Sequence, residues 1–230
     1  MKNPLRLLAA LLFLIPVVLP AQEKAARSCR ILYLNAPSGA PSTLQLYDGK
    51  TAREVALPAM NFSPLYRLPE GDLTLHLLPS APATPEEIPA GAPAAQVPAA
   101  VKNFYLMVTT DDANPVAPVA MQVVELDFDR FAAGGILWFN LTPVSIAGKV
   151  GSQALSLAPG SRQMMGAPAT GKEDYAVDLA YRLKPGDPIH PICETTWLHD
   201  PRSRKVAFIF GEKGRPAPRV LAFNDFRPES

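Results

Sequence analysis

Cysteine, histidine and surplus charge are all scarce in this 230-residue chain, and each shortage closes off a class of chemistry. Two cysteines, Cys29 and Cys193, are too few for a disulfide scaffold or a thiolate zinc centre. Only His76, His190 and His199 supply imidazole, and His76 sits in the other half of the chain from the remaining two, so no metal and no cofactor is expected. Lys plus Arg number 22 against 21 Asp plus Glu, which gives no electrostatic footing for nucleic acid or an acidic polymer. A Gly-x-Ser-x-Gly elbow is absent, as is any Gly-rich phosphate loop leading into a helix, so neither a serine hydrolase nor a nucleotide enzyme is indicated. Long apolar runs are confined to one place, Leu7 to Leu19.

That run follows Lys2 and Arg6 and ends at Pro20-Ala-Gln22, the pattern of a secretory signal peptide cut after Ala21. It is too short for a bilayer span and is broken by Pro16 and Pro20, so an uncleaved anchor fits less well. The residues before Cys29, Ala26-Arg-Ser28, are wrong for lipid attachment. Removal of residues 1–21 deletes Lys2 and Arg6 and no acid, taking the formal charge from +1 to −1. The mature chain is expected to be extracytoplasmic, periplasmic or secreted, with no transmembrane segment. An oxidising compartment permits Cys29 and Cys193 to pair, and two separate buried thiols are the alternative, since sequence does not supply the short Cα separation that a bridge demands.

Proline is plentiful, with 26 scattered residues that leave few windows for a long helix. What remains are short apolar, aromatic and β-branched runs bounded by Pro, Gly, Asp and Asn, the signature of an all-β sandwich. Strands are predicted at residues 30–35, 43–47, 52–57, 63–68, 72–78, 103–109 and 120–127. Leu73, Leu75 and Leu77 alternate with Asp72, Thr74 and His76, one set facing inward. Between them residues 79–100 hold six prolines and eight alanines, and read as an extended, partly mobile Pro/Ala-rich insertion. Phe131-Ala-Ala-Gly-Gly135 marks a boundary where paired glycines release the chain.

Beyond it the pattern returns. Ile31-Leu-Tyr-Leu-Asn35 reappears as Ile136-Leu-Trp-Phe-Asn140, Gly49-Lys50 as Gly148-Lys149, Phe104–Val108 as Val206–Phe210, and Val123–Asp127 as Val220–Asn224. Further strands are predicted at 135–141, 145–150, 153–157, 161–165, 174–182, 192–199, 205–211 and 218–224. The chain is thus expected to hold two tandem β-sandwich units, residues 29–130 and 135–228, and such units are scaffolds that dictate no chemistry.

The segment Asn35-Ala-Pro-Ser-Gly-Ala-Pro41, then Leu44-Gln-Leu-Tyr-Asp-Gly49, Phe62-Ser63, Tyr66, Leu68-Pro69 and Gly71, resembles a domain-of-unknown-function family of secreted bacterial proteins. The likeness covers about residues 30–127 and is faint in the second half. It implies an immunoglobulin-like β-sandwich outside the cytoplasm, carries no active site with it, and lacks the Pro/Ala insertion.

The most suggestive polar cluster is His190-Pro-Ile-Cys-Glu194 with Trp197-Leu-His199. On a strand, Glu194 faces opposite to Cys193, Trp197 and His199, so the two potential metal ligands Glu194 and His199 diverge. Cys193 and His199 share a face but lie about 20 Å apart when extended, too far for a nucleophile and its base. The acid pairs Glu86-Glu87 and Asp111-Asp112 fall in loops, where solvation explains them. Asn61-Phe-Ser63 and Asn140-Leu-Thr142 have the form of glycosylation acceptors but are expected to be structural, and Trp138 and Trp197 sit in apolar runs that point to core packing. The chain is therefore expected to be no enzyme but a partner of another envelope or secreted protein in adhesion, envelope organisation or assembly, through sheet edges or loop tips. A glycan-binding accessory role is the second expectation, which an exposed strip of Trp138, Trp197 and Tyr105 would favour; a hydrolase of unrecognised type is the third.

Overall fold

The computed structural model describes residues 27–184, 186–212 and 214–226, and the expected signal peptide at residues 1–21 lies outside them. Described residues form β1 (Arg27–Tyr33), β2 (Thr43–Tyr47), β3 (Ala52–Ala56), β4 (Tyr66–Leu68), β5 (Leu73–Leu78), β6 (Ala94–Val97), β7 (Asn103–Thr110) and β8 (Val119–Leu126). They continue with β9 (Ile136–Asn140), β10 (Ser145–Val150), β11 (Gln153–Leu157), β12 (Arg162–Met165), β13 (Asp174–Arg182), β14 (His190–Leu198), β15 (Ser203–Phe210) and β16 (Arg219–Phe226). One turn of 3₁₀-helix, Pro85–Glu87, is added. The protein is all-β, as its proline spacing predicts, and no helix among the described residues is long and apolar enough to cross a membrane.

The strands assemble into four four-stranded sheets of β-sandwich character, with orders β4-β1-β7-β8, β3-β2-β5-β6, β12-β9-β15-β16 and β11-β10-β13-β14. Adding eight to every strand number in the first two orders yields the last two. In each half the first strand runs parallel to the seventh, pairing Ile31 with Leu106 and Trp138 with Ala207, and the other pairings are antiparallel.

Burial explains why the central strands read as unbroken apolar runs. Cys29, Ile31 and Tyr33 of β1 face one core with Phe104, Leu106 and Val108 of β7, closed by Leu46, Leu75 and Leu77 of the neighbouring sheet. The alternate residues Leu32, Leu34, Tyr105 and Met107 face the other way, into a second core completed by Leu137, Phe139, Val206, Phe208 and Phe223 from the second half. Trp138, Ala207 and Ile209 then face a third core with Ile146, Leu155, Val177 and Leu179. Strands β1, β7, β9 and β15 are thus buried on both faces, the usual state of parallel strands, and the two halves share a core. Outer strands alternate instead, as in β13, where Tyr175, Val177, Leu179 and Tyr181 are buried between more exposed neighbours.

A buried polar link also joins the halves. Arg30 meets the Asp225 carboxylate at 3.0 Å, its guanidinium donates to the Phe226 carbonyl at 2.6 Å, and the Tyr105 hydroxyl donates to Asp225 at 2.6 Å.

Three expectations need correction. Residues 79–100 are no loose insertion: Ala94–Val97 forms β6, pairs with β5 and buries Val97 in the first core. The Arg27 guanidinium fastens the far end by donating to the carbonyls of Pro98, Val101 and Gly71 at 2.7–2.9 Å. The glycines at 134–135 do not release the chain, because both N–H groups are bonded, to Ser203 and Ala132, and Phe131 beside them is fully buried. Gly148 does not match Gly49: Gly49 turns the chain at φ 92°, whereas Gly148 lies inside β10 and Gly151, at φ 59°, makes the turn.

Candidate binding seam between two edge strands

Strands β14 and β16 are the outer edges of the two sheets that enclose the third core. In the first half the corresponding edges close, β6 packing along β8, whereas β14 and β16 do not come together in this way. The seam between them holds a cavity of about 620 Å³ bordered by Cys193, Thr195 and Trp197 on one side and Arg219 and Val220 on the other. Arg215 and Arg219 at its mouth are each held by Glu212, at 2.8 and 3.0 Å. A second hollow of about 450 Å³ continues past Trp197 to Leu198, Lys172, Lys205, Asn224 and Phe226.

Strand parity decides which backbone groups face the seam edge. The His199 N–H donates to the Glu173 carbonyl at 2.9 Å, so in the antiparallel register that pairs Trp197 with Tyr175, residues 193, 195 and 197 turn their N–H and C=O groups toward β13. Glu194, Thr196 and Leu198 turn theirs outward. Natural edges are usually shortened, bulged, or guarded by Pro or Lys. Here the guard covers one end only, where Pro191 and the register shift opposite Leu179/Ala180 lie, and from Cys193 to Leu198 the sole charge is Glu194. Thr195 and Thr196 are exposed, as are the apolar Leu198 (51%) and, across the seam, Phe226 (49%).

Behind this edge lies an aromatic cluster. Trp197 stacks on Trp138 at 5.5 Å and meets Tyr175 edge-on at 6.3 Å. The Lys205 ammonium sits 5.6 Å from the Trp197 ring and donates to Asn224 at 2.7 Å, and burial lowers its pKa. Tyr175 is buried, its hydroxyl meets no hydrogen-bond partner, and burial pushes its phenol far above the usual range.

The residues singled out from sequence distribute as follows. His199 is 3% exposed with Nδ1 at 2.6 Å from the Gly171 carbonyl, and Glu194 points to solvent, so the two do diverge. His190 packs against Tyr181, with ring centroids 5.2 Å apart. Cys29 is buried in the first core, whereas Cys193 is half-buried at the edge of the third. Burial pushes the Cys193 thiol up; a backbone bond to Leu179 opposes this and Asp178 adds to it, which leaves a poor nucleophile.

His76 lies in the other half, where burial lowers its pKa. Glu87 accepts the Ala83 N–H at 2.8 Å and Asp111 that of Ala113 at 3.2 Å, both local turn contacts. Asn140 is fully buried, its amide donating to Val144 and Ala158 and its oxygen accepting from Thr142, and the Ser63 hydroxyl accepts the Ile31 N–H at 2.8 Å. Trp138 and Tyr105 are fully buried, so the exposed aromatic strip a glycan would need is not formed. Among the described residues no three His, Cys, Asp or Glu side chains are grouped so as to hold a metal.

Sequence reasoning found Trp197 and its face but missed the seam, because edge status belongs to sheet order. The only signal was the lack of Lys and Pro between Cys193 and Leu198. No protein-family model matches the chain, and no curated protein matches it.

Proposed function

We propose that this chain is a non-enzymatic extracytoplasmic protein, exported by the leader at residues 1–21, that assembles with another envelope or secreted protein by accepting an extended strand along β14. Its two halves are read as tandem immunoglobulin-like β-sandwich units of the secreted bacterial family that residues 30–127 resemble, a reading supported by their matching strand orders. The observation that carries the function is the edge itself: outward N–H and C=O groups at Glu194, Thr196 and Leu198 beside a seam that mixes apolar Trp197 and Val220 with the basic Arg219 and Lys205. Such an edge supplies main-chain hydrogen bonds for affinity, and hollows along it give specificity for alternate side chains.

Adhesion and envelope organisation are the processes this assembly would serve. The divergence of Glu194 and His199, and the burial that raises the pKa of the Cys193 thiol, support a role without catalysis. The glycan alternative draws less support, since Trp197 already stacks on Trp138.

A photo-crosslinking amino acid at position 196, with a control at the exposed Ser156 of β11, tests the reading in the producing cell. Protein adducts from 196 and none from 156 are expected. Equal adducts from both positions, or none from either, would contradict it.

A further inference from the structure

We infer that the strand completing the open edge is β14 of a second copy, paired antiparallel about a two-fold axis at Thr196. This rests on the reading of β14 as a pairing edge and names its partner. An isologous contact requires a surface complementary to itself, and the segment from Cys193 to Leu198 meets that condition on three counts.

The first is hydrogen bonding. Outward groups must face outward groups, so an antiparallel partner is limited to registers that join Glu194, Thr196 and Leu198 among themselves. With Thr196 opposite Thr196 of the second copy, Glu194 falls opposite Leu198, and every outward N–H and C=O on the three residues gains a partner. A two-fold axis at Thr195 instead sets Leu198 opposite Ile192, at the register shift beside Pro191, where the regular outward pattern ends.

The second count is charge. Glu194 is the only ionised side chain in the segment, and in the Thr196 register it never meets its own copy. It lies beside Leu198 of the second copy, at the hollow bordered by Lys172, Lys205 and Asp200, and because Asp200 is paired with Arg202 at 3.1 Å the acid approaches a net basic surface at both ends of the contact. The third count is apolar area. Trp197 of the second copy falls opposite Thr195, whose exposed side chain borders the 620 Å³ cavity, and Leu198, 51% exposed alone, packs along the stem of the facing Glu194. Pro191 and the bulge beside it stop the pairing from running further, and the two-fold symmetry itself closes the contact as a dimer.

Sedimentation equilibrium of the purified mature chain over a dilution series tests this. A monomer–dimer equilibrium is expected. Thr196→Lys, which sets two ammonium groups against each other on the axis, weakens it by about tenfold or more, equivalent to about 1.4 kcal/mol. E194K weakens it similarly by meeting Lys172, and E194K with K172E in one chain recovers most of the loss. Thermal unfolding of each variant at a concentration where the wild type is monomeric checks that the fold is unchanged. A wild-type chain that is monomeric throughout, or a dimer indifferent to T196K, overturns the self-pairing. Crosslinks from position 196 to a different protein would in that case leave the open-edge reading intact, so the two failures are told apart.

Discussion

Two tyrosine-to-phenylalanine changes, chemically identical, are expected to move stability in opposite directions. Tyr105 is fully buried and its hydroxyl donates to the Asp225 carboxylate at 2.6 Å, next to Arg30, which meets that carboxylate at 3.0 Å. Tyr105→Phe keeps the ring and its stack on Phe62, 4.4 Å between centroids, and removes only the hydrogen bond. A hydrogen bond to a charged group contributes about 1.5–3 kcal/mol, and a domain of this size shifts by about 2–4 °C per kcal/mol, so Tm should fall by about 3–12 °C. Tyr175 is also buried, but its hydroxyl meets no hydrogen-bond partner. Such a group costs about 1–3 kcal/mol in mutational data, and Tyr175→Phe should return about 1 kcal/mol, raising Tm by about 2–4 °C. Urea unfolding and calorimetry of both variants beside the wild type provide the test. Equal destabilisation by the two changes would refute the claim that Tyr105 is satisfied by the inter-half ion pair while Tyr175 is not.

The other predictions concern the shared core, a titration and the thiols. Phe208 is 2% exposed and stacks on Phe139 at 5.1 Å between the halves, so Phe208→Ala should cost about 3–5 kcal/mol and lower one unfolding transition common to both halves. Two separate calorimetric transitions, only one of them shifted, would contradict the shared core. Burial depresses the His76 pKa, so the folded state binds its proton less readily than the unfolded chain. His76 therefore contributes stability above the unfolded value of about 6.5, lost as pH falls through the folded value. Unfolding free energy measured across mildly acidic pH should fall less steeply in His76→Gln; an equal slope would show that burial does not act on this group. Thiol titration of the denatured, unreduced protein should find both Cys29 and Cys193 reactive, whereas a mass lower by the two hydrogens of a disulfide would show that they pair.

Much of the fold is legible in the sequence because outer strands bury one face and say so: Leu73, Leu75 and Leu77 alternate with polar neighbours, and the structure buries that set. The central strands are legible as strands but not as central. Ile31–Leu34 and Phe104–Val108 are apolar without alternation because one set of side chains faces each of two cores, and nothing local reveals the second core. Strand β6 is hidden for a different reason. Ala94-Ala-Gln-Val97 has weak intrinsic preference for a strand and extends because β5 offers an edge to pair with, a tertiary effect that overrides composition.

The seam follows the same division. Its side-chain parity was readable, with Trp197 and His199 turned inward and Glu194 outward, since period two is a property of one strand. Its openness was not, because whether an edge is covered depends on strands distant in sequence. A bridge between Cys29 and Cys193 was open to sequence for the same reason: each thiol enters a different core, and only the order of sheets keeps them apart.

Amide hydrogen exchange along β14, resolved by residue in the monomeric Thr196→Lys protein, tests the central claim most directly. The N–H groups of residues 193, 195 and 197, bonded to β13, should be protected, and those of 194, 196 and 198 should exchange close to the rate of an unstructured peptide. Even protection along the whole strand would mean that the edge is already covered, and that no partner strand is needed to complete it.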